Sequence, residues 1–163
     1  MGCGRGLWKA ACEMKNRKRN GTGDPVFNPK RKIRPWQGSV EDVAFAKALS
    51  GKVKYTGNPA HKRDPGDFEL TPPSAARANA TLCDDAGVFR RATAKALLKK
   101  GALQGLVDGR SGSEFPQLIW VVDDAGIVFE AQLENADKGE YYGYPMPLSD
   151  PLRPDVLKAA RNR

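Results

Sequence analysis

His61 is the single histidine in a chain of 163 residues, and so the one side chain whose ordinary pKa lies near neutrality. It stands in Asn58-Pro59-Ala60-His61-Lys62-Arg63, directly before two cations. That grouping suits acid–base work on a phosphate ester, with His61 moving a proton while Lys62 and Arg63 hold the charge. The plainer alternative is an exposed loop histidine, or one bonded to Asp64 or Asp67. Glu130 and Gln132 stand two apart in a strand-like run and therefore share a face, with Glu134 next in the row. If a helix covers that face, Glu130 is partly desolvated and needs a cationic partner, for which Arg77 and Lys54 are candidates. A solvated sheet face is the alternative. Gly139-Glu140-Tyr141-Tyr142-Gly143-Tyr144-Pro145 sets three tyrosines between glycines, a stacking and hydrogen-bonding surface or else an aromatic edge of the core. Taken together these residues could perform a 2′-hydroxyl attack on RNA. Glu130 would be the base, His61 the acid, and Lys62, Arg63 or Arg77 the phosphate clamp. Gln132, Tyr142 and Tyr144 would contact the substrate. That chemistry calls for no metal and no cofactor. Cys83, at an expected helix start that would lower its pKa, is a further nucleophile candidate with only His61 to activate it.

The element that must position these groups is a hairpin. Apolar runs on both sides of Asp123-Asp124-Ala125-Gly126 predict two strands over about 117–133 joined by a tight turn. Pairing Val122 with Ile127 would gather Leu118, Trp120, Val122, Ile127, Phe129, Ala131 and Leu133 on one wholly apolar face. Glu130 and Gln132 would then share the other face with Ile119 and Val121. Ser39-Val40-Glu41-Asp42 reads as a capped helix start, with Val40, Val43, Ala44 and Leu49 as its apolar stripe and Gly51 as its end. A second helix is expected from Thr81 to about Lys100, with Gly101 as the stop. A strand is expected from Tyr141 to Met146, and a short helix opening at Pro154. Residues 56–73 hold four prolines and two glycines and predict a long loop. The pattern predicts an α+β fold: a small antiparallel sheet built on the central hairpin, with two or three helices on one face.

Charge divides the chain. Residues 1–38 hold ten Lys or Arg against two acids, which accounts for the whole net charge of +8. The reading is therefore a basic, disordered arm over 1–38 and a single neutral domain over 39–163. Trp8, Phe27 and Trp36 are interleaved with the arm's cations, which suits single-stranded RNA or another nucleic acid. A solubilising tail is the alternative. No apolar run of about 20 residues is present, so no membrane partner is expected. No apolar stretch follows the first basic residues as in a secretory leader. Three cysteines with no zinc spacing argue against a disulfide framework or structural zinc, and for the cytoplasm. A phosphate-binding Walker loop, a dinucleotide glycine fingerprint and a serine-nucleophile elbow are all missing from the sequence.

The segments Y-T-G-N-P-A-H-K (55–62), P-Q-L-I-W-V-V (116–122), F-E-A-Q-L-E-N (129–135) and G-E-Y-Y-G-Y-P-M-P (139–147) resemble a group of small uncharacterised bacterial proteins over about residues 52–157. In architecture alone the chain is similar to metal-independent ribonuclease toxins of the colicin, RelE and barnase-like kinds. That likeness implies an RNA-directed, toxin-like endoribonuclease without a metal. The alternative is a non-catalytic module that binds nucleic acid or a protein partner, the latter through the tyrosine segment. Convergence of His61 and Glu130 on one pocket would separate the two.

Overall fold

A computed structural model of the chain describes residues 27–74, 80–110 and 113–163. It divides into Met1–Lys30 and a domain spanning Arg31–Arg163. Most of the basic arm, including Trp8, lies outside the described residues. Residues 31–38, assigned to the arm on composition, are part of the domain instead. Arg34 N–H donates to the Val107 carbonyl, Gly109 N–H donates to that of Lys32, and Ile33 bridges Asp108.

The domain is α+β, with three α-helices and a four-stranded mixed sheet among the described residues. Helix α1 covers Val40–Lys52, β1 Lys54–Tyr55, α2 Arg91–Leu103, β2 Leu118–Val122, β3 Val128–Asn135, β4 Glu140–Pro145 and α3 Arg153–Arg161. The sheet order is β1-β4-β3-β2. The hairpin pairs β2 and β3 antiparallel, β4 returns antiparallel to β3, and β1 joins β4 in parallel. Residues 106–108 run along the free edge of β2, where Trp120 N–H donates to the Leu106 carbonyl and Asp108 N–H to that of Leu118.

The hairpin sits where expected, but its register differs by one residue. Val122 pairs with Val128, and Trp120 therefore pairs with Glu130. The cause is the turn. Gly126 adopts a left-handed conformation at φ 80°, and the Asp123 carboxylate accepts from Ala125 and Ile127 N–H. This is a turn followed by a glycine bulge, which places one more residue in the loop than the Val122–Ile127 pairing assumes. A one-residue slip exchanges faces. Ile119, Val121, Phe129, Ala131 and Tyr141 pack beneath α1 and α2. Leu118, Trp120 and Val128 pack on the opposite face with Leu106, Met146 and Val156 of α3. Helices therefore cover both faces rather than one.

The helices follow local chemistry with three departures. Ser39 caps α1, its hydroxyl accepting from Asp42 N–H at 3.1 Å. The buried face of α1 is Asp42, Ala46 and Leu49, while Val40 is 82% exposed. Asp42 turns inward because its carboxylate accepts from Gln37 N–H and pairs with Arg34. The second helix begins at Arg91 rather than Thr81, because Asp84 turns its carboxylate to Lys62 and to Arg63 N–H and holds 83–87 in turns. Gly101 lies within α2 rather than ending it. A Cβ there would collide with the Trp120 carbonyl oxygen and press on Ile119. The glycine thus lets α2 approach the backbone of β2.

Candidate functional site

Pairing in the sheet sets Glu130 opposite Tyr144 and Gln132 opposite Tyr142, on the same face as Trp120. Four donors meet the Glu130 carboxylate. On Oε2 they are Arg31 Nη1 at 2.7 Å and Trp120 Nε1 at 2.9 Å. On Oε1 they are the Tyr144 hydroxyl at 2.5 Å and Gln132 Nε2 at 3.3 Å. An ionised carboxylate offers about four acceptor sites, so Glu130, 1% exposed, is filled. Arg31 also forks onto Asp150, Nη1 to Oδ2 at 2.9 Å and Nη2 to Oδ1 at 2.7 Å. Burial disfavours the Arg31 charge, but its bonds to Asp150 and Glu130 outweigh that and raise the guanidinium pKa above its ordinary value. The predicted need of Glu130 for a cation is thus met, with Arg31 in place of Arg77 or Lys54. Lys54 is exposed elsewhere, and Arg77 lies outside the described residues.

The network runs on toward the rim of the face. The Tyr142 hydroxyl donates to Gln132 Oε1 at 2.7 Å, and Gln132 Nε2 donates to the Tyr144 hydroxyl at 2.5 Å. The His61 ring stacks on Tyr144, with centroids 4.6 Å apart and planes 19° from parallel. Its Nδ1 lies 2.8 Å from the Thr81 carbonyl, which can only accept, so Nδ1 carries the proton and Nε2 is the basic nitrogen of the neutral ring. His61 and Glu130 therefore lie on one tyrosine, the ring of His61 on its ring and the carboxylate on its hydroxyl. Residues 59–61 and 65–68 form short 3₁₀ turns in the expected loop, and His61, Lys62 and Phe68 in it are buried.

Two assignments change in this setting. The side chain of Lys62, a candidate phosphate clamp, is 0% exposed, with Nζ 2.7 Å from Asp84 and 3.6 Å from Asp67. Its charge is spent inside the fold. Burial works against the Asp84 carboxylate, but Lys62 and Arg63 N–H prevail and hold its pKa below the usual carboxylate range. Cys83 is buried, and burial pushes its thiol up to about 12, the reverse of an activated nucleophile. Arg63 remains at the surface, paired with Asp85 at 2.6 Å. Asp64, Asp67 and Asp84 are the acids that could gather round a cation among the described residues, and Lys62 already supplies positive charge to two of them.

Arg31, Trp120 and Asp150 complete the site and were not among the candidates. Arg31 belongs to the cluster K-R-K-I-R, where nothing in sequence distinguishes it from its neighbours. Asp150 lies in a Ser-Asp-Pro turn, and its carboxylate also accepts from Leu152 N–H ahead of α3. Behind the sheet, a cavity of about 30 Å³ lies among Val88, Leu97, Leu98, Val121 and Phe129; it is apolar and has room for about one water. Among the described residues no helix is long and apolar enough to cross a membrane. Comparison of the chain with family models, with curated proteins and with solved structures gave no match.

Proposed function

We propose that this protein is an RNA-directed binding module in which the N-terminal cations grip the phosphate backbone and the α+β domain is a non-catalytic body. Charge supports the RNA half. Residues 1–30 hold seven Lys or Arg against two acids, with Trp8 and Phe27 among them, a composition suited to phosphate pairing and base stacking. Trp36 is committed elsewhere, stacked beneath the Arg163 guanidinium. One observation supports the non-catalytic half. A general base must offer a lone pair to the proton it takes, and all the acceptor sites of Glu130 are met by Arg31, Trp120, Tyr144 and Gln132.

Fluorescence anisotropy with a labelled single-stranded RNA, in about 50 and about 200 mM salt, tests the first half. Residues 31–163 should bind more weakly than the full chain. The slope of log affinity against log salt should fall by up to about 5, at about 0.7 for each phosphate no longer neutralised. Equal affinity and equal slope would contradict the reading. The second half concerns Glu130→Gln. It should lower stability by about 2 kcal/mol, because a charge-assisted bond to Arg31 is removed from inside the fold, while RNA affinity stays the same. An unaltered melt with weakened RNA binding would instead put Glu130 against the ligand.

A second reading, a metal-independent ribonuclease-like or toxin-like domain, draws on one observation, the meeting of His61 and Glu130 on Tyr144. It would require Arg31 to leave Glu130 as RNA enters.

A further inference from the structure

The domain by itself is almost balanced in charge, with 20 basic and 17 acidic residues over 31–163. Its cations are nonetheless gathered. A groove of about 430 Å³ runs between the end of α1, β1 and α2, lined by Lys52, Lys54, Arg91, Lys95 and Lys99, with Val53 and Tyr55 between them. No acidic side chain lines it.

We infer that this groove is an RNA site of the domain itself, taking the sugar–phosphate backbone of a single strand. The inference rests on the RNA-directed reading and adds a place for it apart from the N-terminal residues. Arg91, Lys95 and Lys99 follow one another at four-residue intervals and so lie in a row along α2, each about 6 Å farther along the axis. That interval is comparable to the separation of successive phosphates in an extended strand. Like charges at this spacing destabilise an isolated helix, and a bound polyanion relieves the repulsion. Lys54, Lys95 and Lys99 have no ion pair among the described residues. Lys52 and Arg91 pair with Glu114 and Glu69 at the surface, where such pairs are weak and a phosphate competes. A second observation points the same way. No side chain caps the start of α2, and the helix end bordering the groove at Arg91 and Ala92 adds its first N–H groups to the positive potential. The large apolar side chains that are exposed, Val40, Val43, Phe89, Leu103 and Leu148, all lie outside the lining. Among the described residues, the lining of the groove thus offers no large exposed apolar side chain to insert into a bilayer.

The test measures binding of a short fluorescein-labelled oligouridylate to the full chain, as a function of salt. Lys95→Gln with Lys99→Gln is compared with Lys158→Gln with Arg161→Gln, which removes two cations from α3. The groove variant should bind at least several-fold more weakly than the α3 variant, with the salt slope reduced by about 1.4. Should the groove variant melt early, Lys54→Gln on β1 carries the test, with a slope reduced by about 0.7. Wild-type binding with the groove variant no weaker than the α3 variant overturns the inference and leaves the RNA-directed reading standing. No binding of the oligouridylate by the wild type overturns both. Groove-dependent binding to phosphatidylglycerol vesicles, with oligouridylate binding unaffected by the substitutions, overturns the assignment to RNA.

Discussion

Arg31→Ala should lower the unfolding free energy by about 3–5 kcal/mol, the range for removing one partner of a buried ion pair. Arg31 is the shared ion-pair partner of two buried carboxylates, Glu130 on β3 and Asp150 ahead of α3. Its removal strands both in a region that water does not reach. The cost comes from the charges left behind, so it should shrink when they are removed too. Arg31→Met combined with Glu130→Gln and Asp150→Asn should recover much of the stability, whereas Arg31→Lys, a point charge without the fork, should recover little. The same ion pairs set where the chain can be cut. A protein beginning at Arg31 should fold, and one beginning at Ser39 should be destabilised as Arg31→Ala is. Urea midpoints for the substitutions and the two truncations check this. A Ser39 start as stable as the Arg31 start would show that the ion pairs contribute nothing.

Trp120→Ala should likewise cost about 3–5 kcal/mol, for two separable reasons. The indole is 0% exposed among Leu118, Val128, Met146 and Val156, so truncation opens a large cavity. It also withdraws the Nε1 donor from Glu130. Trp120→Phe keeps most of the volume and removes the donor, and should cost about 1–3 kcal/mol. In the Glu130→Gln background the effect of Trp120→Phe should shrink, because the acceptor no longer carries charge. Equal penalties for Trp120→Phe in both backgrounds would mean that the indole acts through packing alone.

The fold class, the hairpin, the Ser39 cap and the presence of α3, with Pro154 in its first turn, were legible because each rests on local chemistry: an apolar run, a turn residue, a capping hydroxyl, a ring that fits a first turn. The register of the hairpin was not. β2 reads Leu-Ile-Trp-Val-Val, apolar at both parities, so alternation offers no contrast by which to choose a face. The choice is made by the conformation of Gly126, which inserts one residue into the loop. The partner of Glu130 was hidden for a different reason. Its burial implies a cation, but Arg31 is 99 residues away in sequence and stands among cations of the same kind. Counting charge also assigns Arg31 to the arm, because composition cannot tell a buried guanidinium from a solvated one. The groove was hidden by the same arithmetic, since a domain near neutrality can still collect five cations on one side.

If Glu130 is an internal counter-ion of the domain, as proposed, and not the base of a nuclease, RNA recovered with the protein should be uncut. Total RNA is incubated with the wild-type chain in EDTA, captured with the protein on a filter, and run on a denaturing gel. RNA retained at full length is the expected result. Cleavage by the wild type that is abolished in both Glu130→Gln and His61→Ala, each still folded, would contradict it.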